Sequence, residues 1–177
     1  MKISVIGTGY LGATHAACMA ELGLDVVGID SDDSKIEALS RGELPFYEPE
    51  LPDCDVHFIC VGTPQIKGGL AADLSYVKSA FAAVAAVAKP GSLLVGKSTV
   101  PVGTAEELSK NIPAHTELAW NPEFLREGFA VEDTLRPNRL VIGVTSDRAE
   151  ELLKQVYAVN LQEGTPWVRA NLPTAEL

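Results

Sequence analysis

Seven short apolar runs punctuate the chain, at residues 2–6, 25–30, 55–61, 92–96, 116–119, 139–144 and 166–169. Each reads as a β-strand, and most of the intervals between them read as helices. An alanine-rich stretch from Ala13 to Leu22 has helical character. Residues 32–41 open on Asp32-Asp33-Ser34, a capping cluster, and end at Gly42. Residues 73–88 carry Leu74, Val77, Phe81, Val84 and Val87, and Lys89-Pro90-Gly91 stops the helix they predict. Residues 104–110 follow a Pro-Val-Gly turn. Residues 147–159 begin Asp147-x-x-Glu150, which fits a capping box, and carry Leu152, Leu153, Val156 and Tyr157 at helical spacing. The segment from Gly42 to Pro52 is proline-rich and reads as loop, and Gly68-Gly69 marks a turn. Strands alternating with helices of this length predict an α/β fold. The expected sheet is doubly wound and mostly parallel, with helices on both faces and its strand C-termini along one edge.

The first strand–helix junction carries the most specific signal. Gly7-Thr8-Gly9-Tyr10-Leu11-Gly12 follows directly on the first apolar run, and Asp30 closes the second run eighteen residues after Gly12. G-x-G-x-x-G in this setting is the dinucleotide-binding fingerprint of a Rossmann-like βαβ unit. Gly7 allows the tight turn. Gly9 lets the backbone approach a pyrophosphate. Gly12 lets the helix pack closely on the strand, and the helix start offers free N–H groups and a positive dipole end to phosphates. Asp30 is placed to accept hydrogen bonds from a ribose diol. Its carboxylate would repel a 2′-phosphate, which favours NAD over NADP.

The 177 residues suffice for one domain with a substantial core. With 24 acidic against 14 basic side chains, the formal net charge is −10. That balance argues against nucleic acid and anionic membrane surfaces as partners. Cys18, Cys54 and Cys60 are odd in number and irregularly spaced, so neither a disulfide framework nor a zinc site is expected. A strand begins at Lys2 where a signal peptide would lie, and no apolar run approaches the roughly 18 residues of a membrane span. A cytoplasmic location is the expectation.

Three further polar segments follow predicted strands. They are Val61-Gly62-Thr63-Pro64, Lys97-Ser98-Thr99-Val100-Pro101-Val102-Gly103-Thr104, and Asn121-Pro122-Glu123-Phe124-Leu125-Arg126-Glu127-Gly128. All would meet at the rim that holds the glycine loop, as a binding cleft requires. Glu123 and Glu127 are four residues apart, so on a helix they would share a face. Tyr10, His15 and Trp120 read as packing or surface residues rather than catalysts.

The last two of these segments, with Ile3–Asp30, Leu44-Pro45-Phe46-Tyr47-Glu48-Pro49, Phe58–Gln65, Ala72–Val77 and Arg136–Gly143, closely resemble the N-terminal part of the UDP-glucose/GDP-mannose dehydrogenase family. The Arg-Pro-x-Arg-x-x-Ile-Gly pattern resembles the UDP-glucose branch more than the GDP-mannose branch. A sister enzyme acting on GDP-mannose or a UDP-N-acetylhexosamine is the alternative, and a non-catalytic dinucleotide-binding module is the alternative of another class. The resemblance implies two Rossmann-like domains joined by a long helix, NAD in the first of them, and a homodimer. It implies oxidation of a nucleotide-sugar C6 alcohol to a carboxylate by two NAD, through an aldehyde and a cysteine thioester, within polysaccharide biosynthesis. By position, Gly7, Gly9, Tyr10, Leu11, Gly12, Asp30 and Lys35 would hold the cofactor, with Thr63 and Thr99 along it. Thr99 and Glu123 would position a catalytic water, Glu127 matches a second glutamate, and Phe124, Leu125, Arg126 and Glu127 would lie against the UDP-sugar. No metal is implied.

The sequence departs from the family in two places. Some two dozen residues, a helix and a short strand, are missing between the Tyr-Glu-Pro segment and the strand at 55–61. The expected organisation is a NAD-binding domain over 1–170 and the start of the connecting helix at 171–177. The catalytic lysine, asparagine and cysteine implied by the resemblance belong to later segments, so the polypeptide is expected to be inactive alone.

Overall fold

A computed structural model describes residues 1–30 and 52–177. The helix expected over 32–41 and Lys35 lie outside them. Among the described residues there are seven strands: β1 (Lys2–Ile6), β2 (Asp25–Ile29), β3 (Val56–Ile59), β4 (Leu93–Gly96), β5 (Glu117–Trp120), β6 (Leu140–Val144) and β7 (Trp167–Ala170). The helices are α1 (Tyr10–Glu21), α2 (Ser75–Val87), α3 (Thr104–Ser109), α4 (Ala130–Leu135), α5 (Asp147–Val156), α6 (Ala158–Gln162) and α7 (Leu172–Ala175). The strands form one sheet in the order β2-β1-β3-β4-β5-β6-β7. Every neighbouring pair is parallel except β5 and β6. The expected α/β class, Rossmann-like and mostly parallel, is therefore what the chain adopts.

Alternation along the strands explains why helices cover both faces. Ile3, Val5, Phe58, Leu93 and Val95 pack with Ala16 and Met19 of α1 and Leu153 and Val156 of α5. Ile6, Ile59, Leu94, Leu118 and Trp120 pack on the other side with Val77, Phe81 and Val84 of α2, Leu108 of α3 and Leu172 of α7. Trp120 is a packing residue, stacked on Phe81 with ring centroids 6.0 Å apart. Its burial and that of His15 match their reading as core residues, and Tyr10 is exposed on the surface.

Some local expectations are corrected. The cap of α5 is Ser146, whose Oγ accepts from the Ala149 N–H at 3.0 Å, one residue before the expected Asp147. Glu150 does not close a capping box. It accepts instead from Trp167 Nε1 at 2.9 Å and Arg169 Nη1 at 2.6 Å, tying α5 to β7. The single helix expected over 147–159 divides at Tyr157 into α5 and α6. Helix α4 has six residues and α7 four, too short to impress a period on the sequence.

His57 sits at the centre of the sheet, fully buried, with Ser4 opposite it and the Ser4 Oγ 2.7 Å from its Nδ1. Burial holds its imidazole down at about 4. In the unfolded chain a histidine titrates near 6.5. Between those values the unfolded state binds a proton that the folded state refuses, so stability rises with pH through this window and is lost as pH falls. From pH 8 to pH 5 the loss from this one group is roughly 2 kcal/mol. Urea unfolding at both pH values should show that difference between the native chain and His57→Gln. An equal pH dependence in the two proteins would contradict it.

Candidate functional site

The sheet order creates one topological switch point. From β1 the chain moves outward to β2 and then returns to β3 on the opposite side of β1. Ligands of doubly wound folds bind in the crevice beyond the strand C-termini at such a point. There the structure has a cleft of about 630 Å3, lined by Gly7, Gly9, Asp30, Val61, Gly62 and Tyr76 among others.

The glycine loop builds the cleft floor. Gly7 has φ +88°, a left-handed conformation that glycine adopts without strain, and its N–H donates to the Ile29 carbonyl at 2.7 Å. A Cβ on Gly12 would stand 1.8 Å from the Gly7 carbonyl oxygen, so any side chain there would force α1 off the loop. A Cβ on Gly9 would meet nothing within 4 Å. That open side, next to the start of α1, which carries no side-chain cap, is where a pyrophosphate has room and donors. Asp30 is held in place by Thr8. Its Oδ2 accepts from the Thr8 N–H at 2.7 Å and from the Thr8 hydroxyl at 3.0 Å. Sequence reasoning overlooked Thr8, and the hydroxyl inside the G-x-G was the available signal.

Two loops close the rim beyond β3 and β4. The Ser98 hydroxyl donates to the Val61 carbonyl at 2.6 Å and the Thr63 hydroxyl to the Thr99 carbonyl at 2.9 Å. Thr63 and Thr99 thus meet, through the backbone of one and the side chain of the other. The buried Glu176 carboxylate accepts from the Gly103 and Ala105 N–H groups, each at 2.6 Å, and so fixes the end of the Thr99 loop at the start of α3. An acidic side chain there complements the helix N-terminus.

The third loop leaves β5 at Asn121, which is buried and bonded on three sides. Its Oδ1 accepts from Lys97 Nζ at 3.2 Å and from the Tyr157 hydroxyl at 2.5 Å, while its Nδ2 donates to the Val141 carbonyl at 3.1 Å. Residues 121–126 are irregular, so Glu123 and Glu127 do not share a helix face as expected. The Glu123 carboxylate accepts from the Leu125 N–H at 2.6 Å. Phe124, Leu125 and Arg126 line a pocket of about 190 Å3 together with Glu123, Leu11 and Lys97. Glu127 is exposed and lies outside it. The Arg126 guanidinium and N–H both bond Asp133, which fastens the loop to α4.

The expected cofactor set therefore divides. Gly7, Gly9 and Asp30 line the cleft. Gly12 is buried, with its Cα hydrogen side against the Gly7 carbonyl. Leu11 faces the Glu123 pocket, and Tyr10 lines a neighbouring surface hollow with Phe129 and Val131. Lys97, Asn121 and Tyr157 were missed, although Lys97 and Asn121 are the first polar residues after apolar strands.

The electrostatics are those of a partly dry site. Burial lowers the Lys97 ammonium pKa and, with the nearby Lys97 charge, holds His15 well below the usual histidine value. Burial pushes the Cys60 thiol up to about 12. Among the described residues no group of three or more histidine, cysteine or acidic side chains could hold a metal, and no helix is long and apolar enough to cross a membrane.

A family model described as UDP-glucose/GDP-mannose dehydrogenase family, NAD binding domain, matches residues 1–54 and 50–160. UDP-glucose 6-dehydrogenase of Rhizobium meliloti (strain 1021) is 40% identical over 207 residues, covering 100% of this chain and 47% of that protein. A UDP-glucose dehydrogenase from the hyperthermophilic archaeon Pyrobaculum islandicum superposes with a TM-score of 0.84 at 36% identity, over 99% of this chain and 47% of its own. GDP-mannose dehydrogenase from Pseudomonas aeruginosa superposes with a TM-score of 0.82 at 29% identity, over 99% of this chain and 48% of its own. The chain spans about half the length of the UDP-glucose 6-dehydrogenases it matches. The family match divides at residues 50–54, where residues are missing from the sequence pattern, and the 207-residue alignment to the Rhizobium protein is longer than the 177 residues of this chain.

The contrast between two glycines gives a direct test. Gly12→Ala forces backbone apart and should lower stability by about 1–3 kcal/mol or more. Gly9→Ala, with φ −68° and open space around it, should leave the thermal melt nearly unchanged and abolish measurable NAD binding. Native affinity in Gly9→Ala would show that the pyrophosphate does not pass there.

Proposed function

The chain belongs to the UDP-glucose/GDP-mannose dehydrogenase family as its NAD-binding domain, and from that premise we propose that it serves the NAD-dependent oxidation of UDP-glucose to UDP-glucuronate in its parent enzyme. The observation that carries the reading is the cleft at the β1–β3 switch point, open above Gly9 and bounded by a fixed Asp30. UDP-glucose is favoured as substrate because the UDP-glucose enzymes reported above are 40% and 36% identical, against 29% for the GDP-mannose enzyme. The TM-scores of 0.84 and 0.82 do not separate the two branches. GDP-mannose and UDP-N-acetylhexosamines remain the alternative substrates. The parent enzyme is proposed to be a cytoplasmic homodimer in polysaccharide biosynthesis.

The residues present fit the cofactor. NAD, when bound, would accept hydride from the substrate alcohol. Gly7, Gly9 and the start of α1 would hold its pyrophosphate and Asp30 a ribose hydroxyl. Thr63 and Thr99 would lie along it. Glu123 and Thr99 would orient a water, with Glu123 giving up its bond to the Leu125 N–H when it does so. Phe124 to Glu127 would contact the sugar nucleotide. All three cysteines are buried, and burial raises the thiols of Cys18, of Cys54 to about 11 and of Cys60 to about 12. None offers the exposed thiolate that a thioester step requires.

Calorimetric titration of the chain should show NAD binding at least about fivefold tighter than NADP, since a carboxylate facing a 2′-phosphate costs on the order of one kcal/mol or more. Equal affinities, or tighter NADP, would remove Asp30 from the ribose. The purified 177-residue polypeptide with NAD and excess UDP-glucose should form no UDP-glucuronate. Acid production would mean that a buried cysteine, Cys60 first among them, becomes reactive on binding.

A further inference from the structure

Lys97 poses a question of energetics. Lysine is almost never fully buried unless paired, yet Lys97 retains only 7% of its surface. Among the described residues no carboxylate pairs with it, and a single acceptor, Asn121 Oδ1, meets its Nζ. That oxygen is shared, because the Tyr157 hydroxyl donates to it as well. An ammonium carries three donors, so two remain unspent at the wall of the pocket that Leu11 and Glu123 also line. On the same pocket His15 is buried and its Nε2 has no hydrogen-bond partner. The Glu123 carboxylate already accepts from the Leu125 N–H. Both carboxylates on the pocket are thus already engaged, Glu123 by the Leu125 N–H and Asp133 by Arg126, while Lys97 keeps two donors unspent. Stability does not account for this arrangement, since apolar residues of similar volume commonly replace buried charges without loss.

Resting on the cofactor reading above, we infer that Lys97 is a further ligand-contacting residue of the site, held by Asn121 and Tyr157 so that its ammonium takes an acceptor oxygen brought into this pocket by the bound ligand. The oxygen has two chemical sources at this end of the cleft. One is the carboxamide of the nicotinamide ring, because Leu11, in the first turn of α1 behind the glycine loop, borders the same pocket. The other is a hydroxyl of the sugar nucleotide, because Phe124 to Arg126 border it too. The NAD pyrophosphate is a poor fit, since the cofactor reading places it at Gly9.

The test compares the native chain with Lys97→Met, which keeps length and apolar contact and removes the donors. Calorimetric titrations use NAD, ADP-ribose, which lacks the nicotinamide ring, and UDP-glucose, with a thermal melt alongside. The inference expects a melting temperature that is unchanged or raised and ADP-ribose affinity within about twofold of native. It expects about a tenfold loss for one of the other ligands, the size of a lost hydrogen bond to a charged donor. Loss confined to NAD places the oxygen on the carboxamide, and loss confined to UDP-glucose places it on the sugar nucleotide. Native affinity for both would overturn the inference, as would a lowered melting temperature with parallel losses for NAD and ADP-ribose. If Lys97→Met fails to fold, Lys97→Gln, which retains one amide donor group and drops the charge, is judged by the same outcomes. A native chain that binds neither NAD nor ADP-ribose would overturn the cofactor reading itself.

Discussion

Helix α1 starts so close to the turn after β1 that no side chain fits between them. The 1.8 Å separating a Gly12 Cβ from the Gly7 carbonyl is less than any side chain tolerates. With glycine at both positions the helix seats against the loop, and the loop in turn bonds β2 through the Gly7 N–H and the Ile29 carbonyl. Asp30 follows immediately on Ile29, and Thr8 of the loop holds its carboxylate. The start of α1 and the Asp30 carboxylate are thus positioned by one close approach of backbone to backbone. The cleft between β1 and β3 is what that approach leaves open.

The rest of the rim is assembled by a few polar bonds between loops that the parallel sheet brings together. Ser98 and Thr63 join the loop after β4 to the loop after β3. Lys97 and Asn121 join it to the loop after β5, and Tyr157 anchors that junction to the end of α5. Glu176 holds its far end. The bonds of Lys97 and Glu176 involve charged groups and contribute about 1.5–3 kcal/mol each, more than the neutral bonds of Ser98, Thr63 and Tyr157. Thr99 and Glu123 therefore stand on loops whose bases are fixed, which a site for oriented chemistry needs.

The sequence patterns made the sheet legible because its inner strands are buried on both faces and appear as short apolar runs such as Leu93–Val95 or Leu118–Trp120. The glycine fingerprint was legible because it demands residue types that little else demands. The antiparallel β5–β6 pair was not, since strand direction leaves no trace in an apolar run. Helix α4 escaped notice because, unlike α3 of the same length, it follows no Pro-Val-Gly turn to mark its start. The pairing of Asn121 with Lys97 and Tyr157 also escaped, because residues 24 and 36 apart meet only once the sheet exists. Glu123 and Glu127 misled through their spacing, which implies a shared face only on a helix, and Pro122 begins an irregular loop instead.

The central claim is that the strand C-termini around the β1–β3 crevice form the dinucleotide site. An amide-resolved NMR titration of the chain with NAD tests it most directly. Perturbations should concentrate on Gly7 to Gly12, Asp30, Val61 to Thr63 and Lys97 to Thr99. Perturbations confined to Gly23, Asp55 and Ser92, at the opposite ends of the same strands, would contradict it.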